Sequence, residues 1–70
     1  MNTTILGFVT FCVGALAVSM NLPRNKVYAM LKQGDLIDDY IVPLYDVLHT
    51  FSRQYIIDDL KEMLKLRGVI

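Results

Sequence analysis

The stretch Ile5–Met20, ILGFVTFCVGALAVSM, carries no charge and is apolar on every side. In a chain of 70 residues, whatever covers that segment decides what the molecule can be. A helix that is hydrophobic all round is either wrapped by protein or sits in lipid. At about 100° per residue the segment divides into unequal faces. Gly7, Thr10, Gly14 and Ala17 form a stripe of small side chains, Ile5, Phe8, Val9, Cys12, Val13 and Leu16 a bulky side, and Phe11, Ala15 and Val18 the remainder. Two interior glycines cost a helix about 1 kcal/mol each against alanine. Compensation by packing predicts a tight crossing of another helix over the small-residue stripe.

A membrane span is the rival reading. No charge occurs from Asn2 to Pro23, and Arg24 and Lys26 come next as a cytoplasmic flank would. Against it, the strongly apolar part is short and is bounded by Asn2, Thr3, Thr4 and Asn21. No basic region precedes the apolar run, as a secretory signal would require. The rest of the chain also carries apolar residues at helical spacing, which need a core partner. The expectation is a soluble central helix, with a small membrane protein as an alternative.

A chain of this length makes one domain and buries only about 60% of its unfolded surface. Its apolar content of 54% exceeds the usual level of about 45–50%. Together these favour an oligomer or an obligate partner. A net charge of zero gives no overall electrostatic attraction to nucleic acid. The single cysteine, Cys12, excludes an intramolecular disulfide and reads as a small buried hydrophobe in a reducing cytosol.

Beyond the first helix, Asn21 can end it or cap the next, and Pro23 suits a first helical turn. Val27, Met30 and Leu31 give the second helix an apolar stripe. Gly34 is expected to end it, and Asp35 to cap the third helix. Ala17, Asn21 and Val27 match a helix-turn-helix spacing. Arg24, Asn25, Lys26, Tyr28, Lys32 and Gln33 would then face phosphates and base edges. Any two helices joined by a tight turn want the same three residue types, so DNA binding stands as an alternative.

Asp35–Thr50 reads as a third helix with Leu36, Ile37, Tyr40, Ile41, Leu44, Val47 and Leu48 directed inward. Pro43 removes a backbone donor in its middle, so a kink, or two short helices broken near Val42, is expected. Asp35, Asp38, Asp39 and Asp46 make the segment acidic, which reads as a solvated face or as a docking surface for a basic partner. In the last helix, near Arg53–Arg67, Ile56, Ile57, Leu60, Met63 and Leu64 form the stripe. Thr50 and Ser52 are alternative caps, and Gly68 is placed to end the helix with Val69 folding back.

The hexapeptide Tyr45-Asp46-Val47-Leu48-His49-Thr50 is the most distinctive run. With Ile37-Asp38-Asp39-Tyr40-Ile41 before it and Tyr55-Ile56-Ile57-Asp58-Asp59 after it, the chain resembles a family of short bacterial proteins, domain of unknown function thirty-seven ninety-one. The resemblance covers nearly the whole chain. Genes of that family often lie beside genes for ADP-ribosyltransferase-like toxins, which implies an antitoxin or accessory role. The family assigns no chemistry to any residue.

His49 is the one histidine. Asp46 and Tyr45 share its helix face, so Asp46 could orient it as a base. No nucleophile, metal-ligand set or phosphate loop accompanies it. The expected role is a helix C-terminal histidine bonded to Asp46, and no catalysis, cofactor or metal is expected.

The reading is an all-α bundle of four helices near 3–20, 23–33, 36–49 and 52–67, packed around the first. Its expected function is protein–protein interaction. An uncovered apolar face at Phe8, Phe11, Ala15 and Val18 is expected to form a homodimer or to receive a heterologous partner, and Asp38, Asp39, Asp46 and His49 extend the candidate surface.

Overall fold

Asn2 opens the first helix, because its side-chain oxygen accepts the Ile5 N–H at 2.8 Å, a pairing that satisfies an otherwise orphaned donor. The computed structural model describes residues 1–70. Helix α1 spans Thr3–Met20, α2 Arg24–Gln33, a π-helical turn Ile37–Ile41, α3 Tyr45–Leu48 and α4 Arg53–Leu66, with no strand. The bundle is all-α and built on the apolar N-terminal helix.

Helix α1 ends where Asn21 takes the left-handed conformation, φ 55°. The Asn21 N–H donates to Val18 O and the Leu22 N–H to Ala17 O, the paired bonds of a Schellman ending. Gly68, φ 73°, ends α4 in the same way, with Val69 N–H donating to Leu64 O. Val69 folds back on the core. Ser52, not Thr50, caps α4, accepting the Tyr55 N–H at 3.1 Å. The Thr50 hydroxyl instead donates to Val47 O.

The second helix ends differently from its expectation. Gly34 has an ordinary φ of −86°, and Asp35 takes the left-handed turn at φ 56° rather than capping with its side chain. Gly34 is small for steric reasons. A Cβ there would lie 3.2 Å from Val69 Cγ2 and 3.4 Å from Arg67 Cβ, so a side chain would push the C-terminal tail away. Arg67 Nη1 donates to Gly34 O at 2.7 Å, tying the end of α4 to the end of α2.

The third segment is not one helix. It is the π-helical turn, a turn over Val42–Leu44, and the four-residue α3. Leu36, Ile37, Ile41 and Leu48 are buried as expected, but the break rotates Leu44 and Val47 out to solvent.

The core is one cluster in which Cys12 and Leu16 of α1 meet Val27 and Leu31 of α2, Leu36 and Ile41 of the middle segment, and Ile57, Leu60 and Leu64 of α4. No polar side chain is buried. Tyr40 donates its hydroxyl to Asp59 Oδ2 at 2.6 Å, linking the π-helical turn to α4 at the core's edge.

Candidate interaction surface

Helix α1 is covered on one side only. Val9, Cys12, Val13 and Leu16, all from the bulky side, are buried against α2 and α4. The opposite side reaches solvent with Phe11 40% and Val18 72% exposed. Its backbone is also accessible. A Cβ built on Gly7 would meet nothing within 4 Å, and Thr10 is exposed.

The small-residue stripe therefore does not pack inside the molecule, contrary to its expectation. Only Ala17, at the end next to α2, is buried. Helices α2 and α4 approach along the bulky side because leucine, isoleucine and valine there offer more apolar area to remove from water. Ala15, expected on the open face, is 4% exposed.

What results is a groove of about 420 Å³ floored by Gly7, Thr10, Gly14 and Ala15 and edged by Phe11 and Val18. The Thr10 hydroxyl donates to Leu6 O at 3.0 Å, so it asks nothing of a visitor. Two arginines complete the wall, Arg24 from the start of α2 and Arg53 from the start of α4. The Arg24 guanidinium lies against Gly14, with Nη2 3.4 Å from where a Cβ would stand. No carboxylate lines the groove.

The distinctive hexapeptide adjoins this face through a chain of rings. Phe11 stacks on Phe8 with centroids 6.2 Å apart. Phe8 meets the edge of Tyr45 at 5.4 Å, and Tyr45 stacks on His49 at 4.5 Å. Phe8 is half-buried and His49 exposed. His49 does not bond Asp46. Its Nδ1 lies 2.7 Å from Tyr45 O, and a carbonyl can only accept, so Nδ1 is the donor. His49 is the C-cap of α3, so the position at a helix C-terminus is as expected and the partner is different.

Of the other candidate residues, Asp38 and Asp39 are exposed on the π-helical turn and Asp46 is exposed on α3; none lines the groove. Of the residues read for DNA, Asn25, Lys26, Tyr28 and Lys32 are exposed on α2. Lys32 Nζ sits 5.9 Å from the Tyr28 ring centroid. Arg24 is directed to the α1 groove instead. Ala17 and Val27 are buried and Asn21 is left-handed at the turn between α1 and α2.

Two features were beyond sequence reasoning. Arg53 reads as an ordinary first-turn residue, and only the docking of α4 on α1 brings it to Gly14 and Arg24. The Phe8–Tyr45 contact likewise joins residues with no periodic relation. No group of three or more His, Cys, Asp or Glu side chains gathers as a metal cage. Burial pushes the Cys12 thiol up to about 12, which keeps it protonated and unreactive.

A comparison with curated proteins and with solved structures finds no match. A family profile, that of the protein of unknown function DUF3791, matches residues 7–67. That range runs from Gly7 at the groove floor, through the Tyr45–His49 pair, to the arginine that ties α4 to α2. This chain belongs to the DUF3791 family.

Proposed function

We propose that the protein is a small, non-catalytic protein–protein interaction module whose partner covers the open side of α1. The observation that carries the reading is the one-sided burial of that helix. Phe11 and Val18 stand exposed beside the accessible backbone of Gly7. Apolar surface in water costs a chain about 25 cal/mol per Å², and a contiguous patch rimmed by charge marks a recognition site. In the finer form of this reading the module is an antitoxin or accessory partner of an ADP-ribosyltransferase-like toxin, as the family resemblance implies.

A photo-crosslinking side chain placed at Phe11 or Val18 in living cells tests it. The expected result is a covalent adduct with a second polypeptide, absent when the same group replaces the exposed Glu62 of α4. Adducts with lipid alone would favour the membrane alternative, for which α1 has the length of 18 residues and a mean hydropathy of 1.9. Adducts with DNA from Lys26 or Lys32, and none with protein from α1, would favour the nucleic-acid alternative.

A further inference from the structure

The groove's chemistry narrows the partner, and this step rests on the interaction reading above. The geometry points to a heterologous partner helix that presents an apolar ridge to α1 and carboxylates to Arg24 and Arg53. Three features carry this.

The first is shape. Gly7 withholds a side chain from the floor, Gly14 carries only the Arg24 guanidinium laid against it, and Phe11 and Val18 stand at the edge. A flat apolar layer laid over the face would leave the floor empty, and unfilled space forfeits dispersion contacts. A helical ridge enters such a furrow, as in ridges-into-grooves packing, and small residues let the two backbones approach closely. The second is length. The lining that α1 gives the groove runs from Gly7 to Val18, about 17 Å at about 1.5 Å per residue. That is room for about three turns of a helix anchored at i, i+3, i+4 and i+7.

The third is charge. Two arginines line the groove and no carboxylate shares it. Arginine grips carboxylates through paired hydrogen bonds, so an acidic helix is complementary and a basic one is repelled. This also selects against a second copy of the chain. The copy's own α1 has no charge between Asn2 and Pro23, so pairing two such faces brings four arginines together with no counter-charge. Of its acidic residues, Asp35, Asp38 and Asp39 sit on or beside a turn whose Ile37 and Ile41 are committed to its own core, Asp46 on the four-residue α3, and Asp58, Asp59 and Glu62 on α4, whose Ile56, Ile57, Leu60 and Leu64 are buried, so none flanks a free apolar ridge of the length required.

The test uses three synthetic helical peptides of about 18 residues with one leucine–alanine ridge. Flanking positions carry glutamate, glutamine or lysine. Binding to the intact protein is read by fluorescence anisotropy and by amide chemical shifts. The glutamate peptide is expected to bind about tenfold or more tighter than the lysine peptide, with the largest shifts at Gly7, Thr10 and Gly14. The double charge reversal R24E/R53E, checked for folding by circular dichroism, is expected to invert the preference. Equal affinity for the three peptides, no binding by any, or shifts centred away from α1 would overturn the proposal. So would binding of the intact protein to phosphatidylglycerol vesicles through Gly7 and Gly14 in preference to the glutamate peptide. Protein crosslinks at Phe11 combined with charge-blind peptide binding would leave the interaction reading standing and remove the acidic helix alone.

Discussion

Tyr40 and Cys12 make the protein's stability sensitive to alkali through a single direction of shift. Burial first, then the hydrogen bond to Asp59 and the charge of that carboxylate, push the Tyr40 hydroxyl from 10.0 up to about 12. Burial alone pushes the Cys12 thiol from 9.0 up to about 12. Both groups hold their protons longer in the folded chain than in the unfolded one, so each contribution is fully present below its ordinary value and is lost as pH rises toward about 12. The urea midpoint is therefore expected to fall from about pH 9 upward, and more steeply above pH 10. Tyr40→Phe removes the second component while costing about 1 kcal/mol at neutral pH for the lost hydrogen bond. A Y40F variant with the same alkaline slope as the parent would show that another group sets it. Periodicity places Tyr40 toward the core, but its partner lies 19 residues on, and no pattern in the sequence pairs the two. His49 illustrates the same limit. Its place at a helix end is legible, whereas the choice of Tyr45 O over Asp46 depends on the ring stacking that Phe8 supports from α1.

Helix ends were the most legible part of the fold, because their signals are local. Asn21, Ser52 and Gly68 each do what their residue type suggests. The left-handed conformation costs an ordinary side chain about 1–2 kcal/mol, so Asn21→Val is expected to lose that amount in urea unfolding, while Asn21→Gly keeps the parent midpoint. Replacing the Ser52 cap by alanine is expected to cost about 1 kcal/mol, read the same way; an unchanged midpoint would mean that water replaces the cap. Gly34 reads correctly as a stop, but for a reason the sequence hides, since Val69 and Arg67 occupy the space a side chain would need. The middle segment shows where periodicity fails. Pro43 signals a break near Val42, and the segment is interrupted there, but apolar spacing gives no sign of the π-helical turn before it or of the short restart at Tyr45. Leu44 and Val47 keep the right spacing on the wrong helix.

At the scale of the whole molecule, the sequence shows that α1 must be covered and is silent on which side its own helices take. Amphipathic patterning normally decides that, and a helix apolar all round has none. The choice falls to the area each face offers, and the bulky side wins, leaving Gly7 outside and Gly14 under the Arg24 side chain alone. Gly7→Ala tests this outcome. A crossing helix over Gly7 would make an added methyl group a clash, costing about 1–3 kcal/mol. With nothing within 4 Å of the new Cβ, alanine instead contributes its helix propensity, and stability is expected to rise by about 1 kcal/mol. The sign also reports whether copies of the chain cover the face. With the groove free, the gain is the same at low and high micromolar protein, and sedimentation gives the 8.0 kDa of a single chain. A gain that turns into a loss as concentration rises, with mass above 8.0 kDa, would place a second copy over Gly7, because only an occupied groove penalises the methyl group. The same substitution that stabilises the isolated protein narrows the groove, so Gly7→Ala is also expected to weaken whatever helix docks there, separating what the face does for folding from what it does for binding.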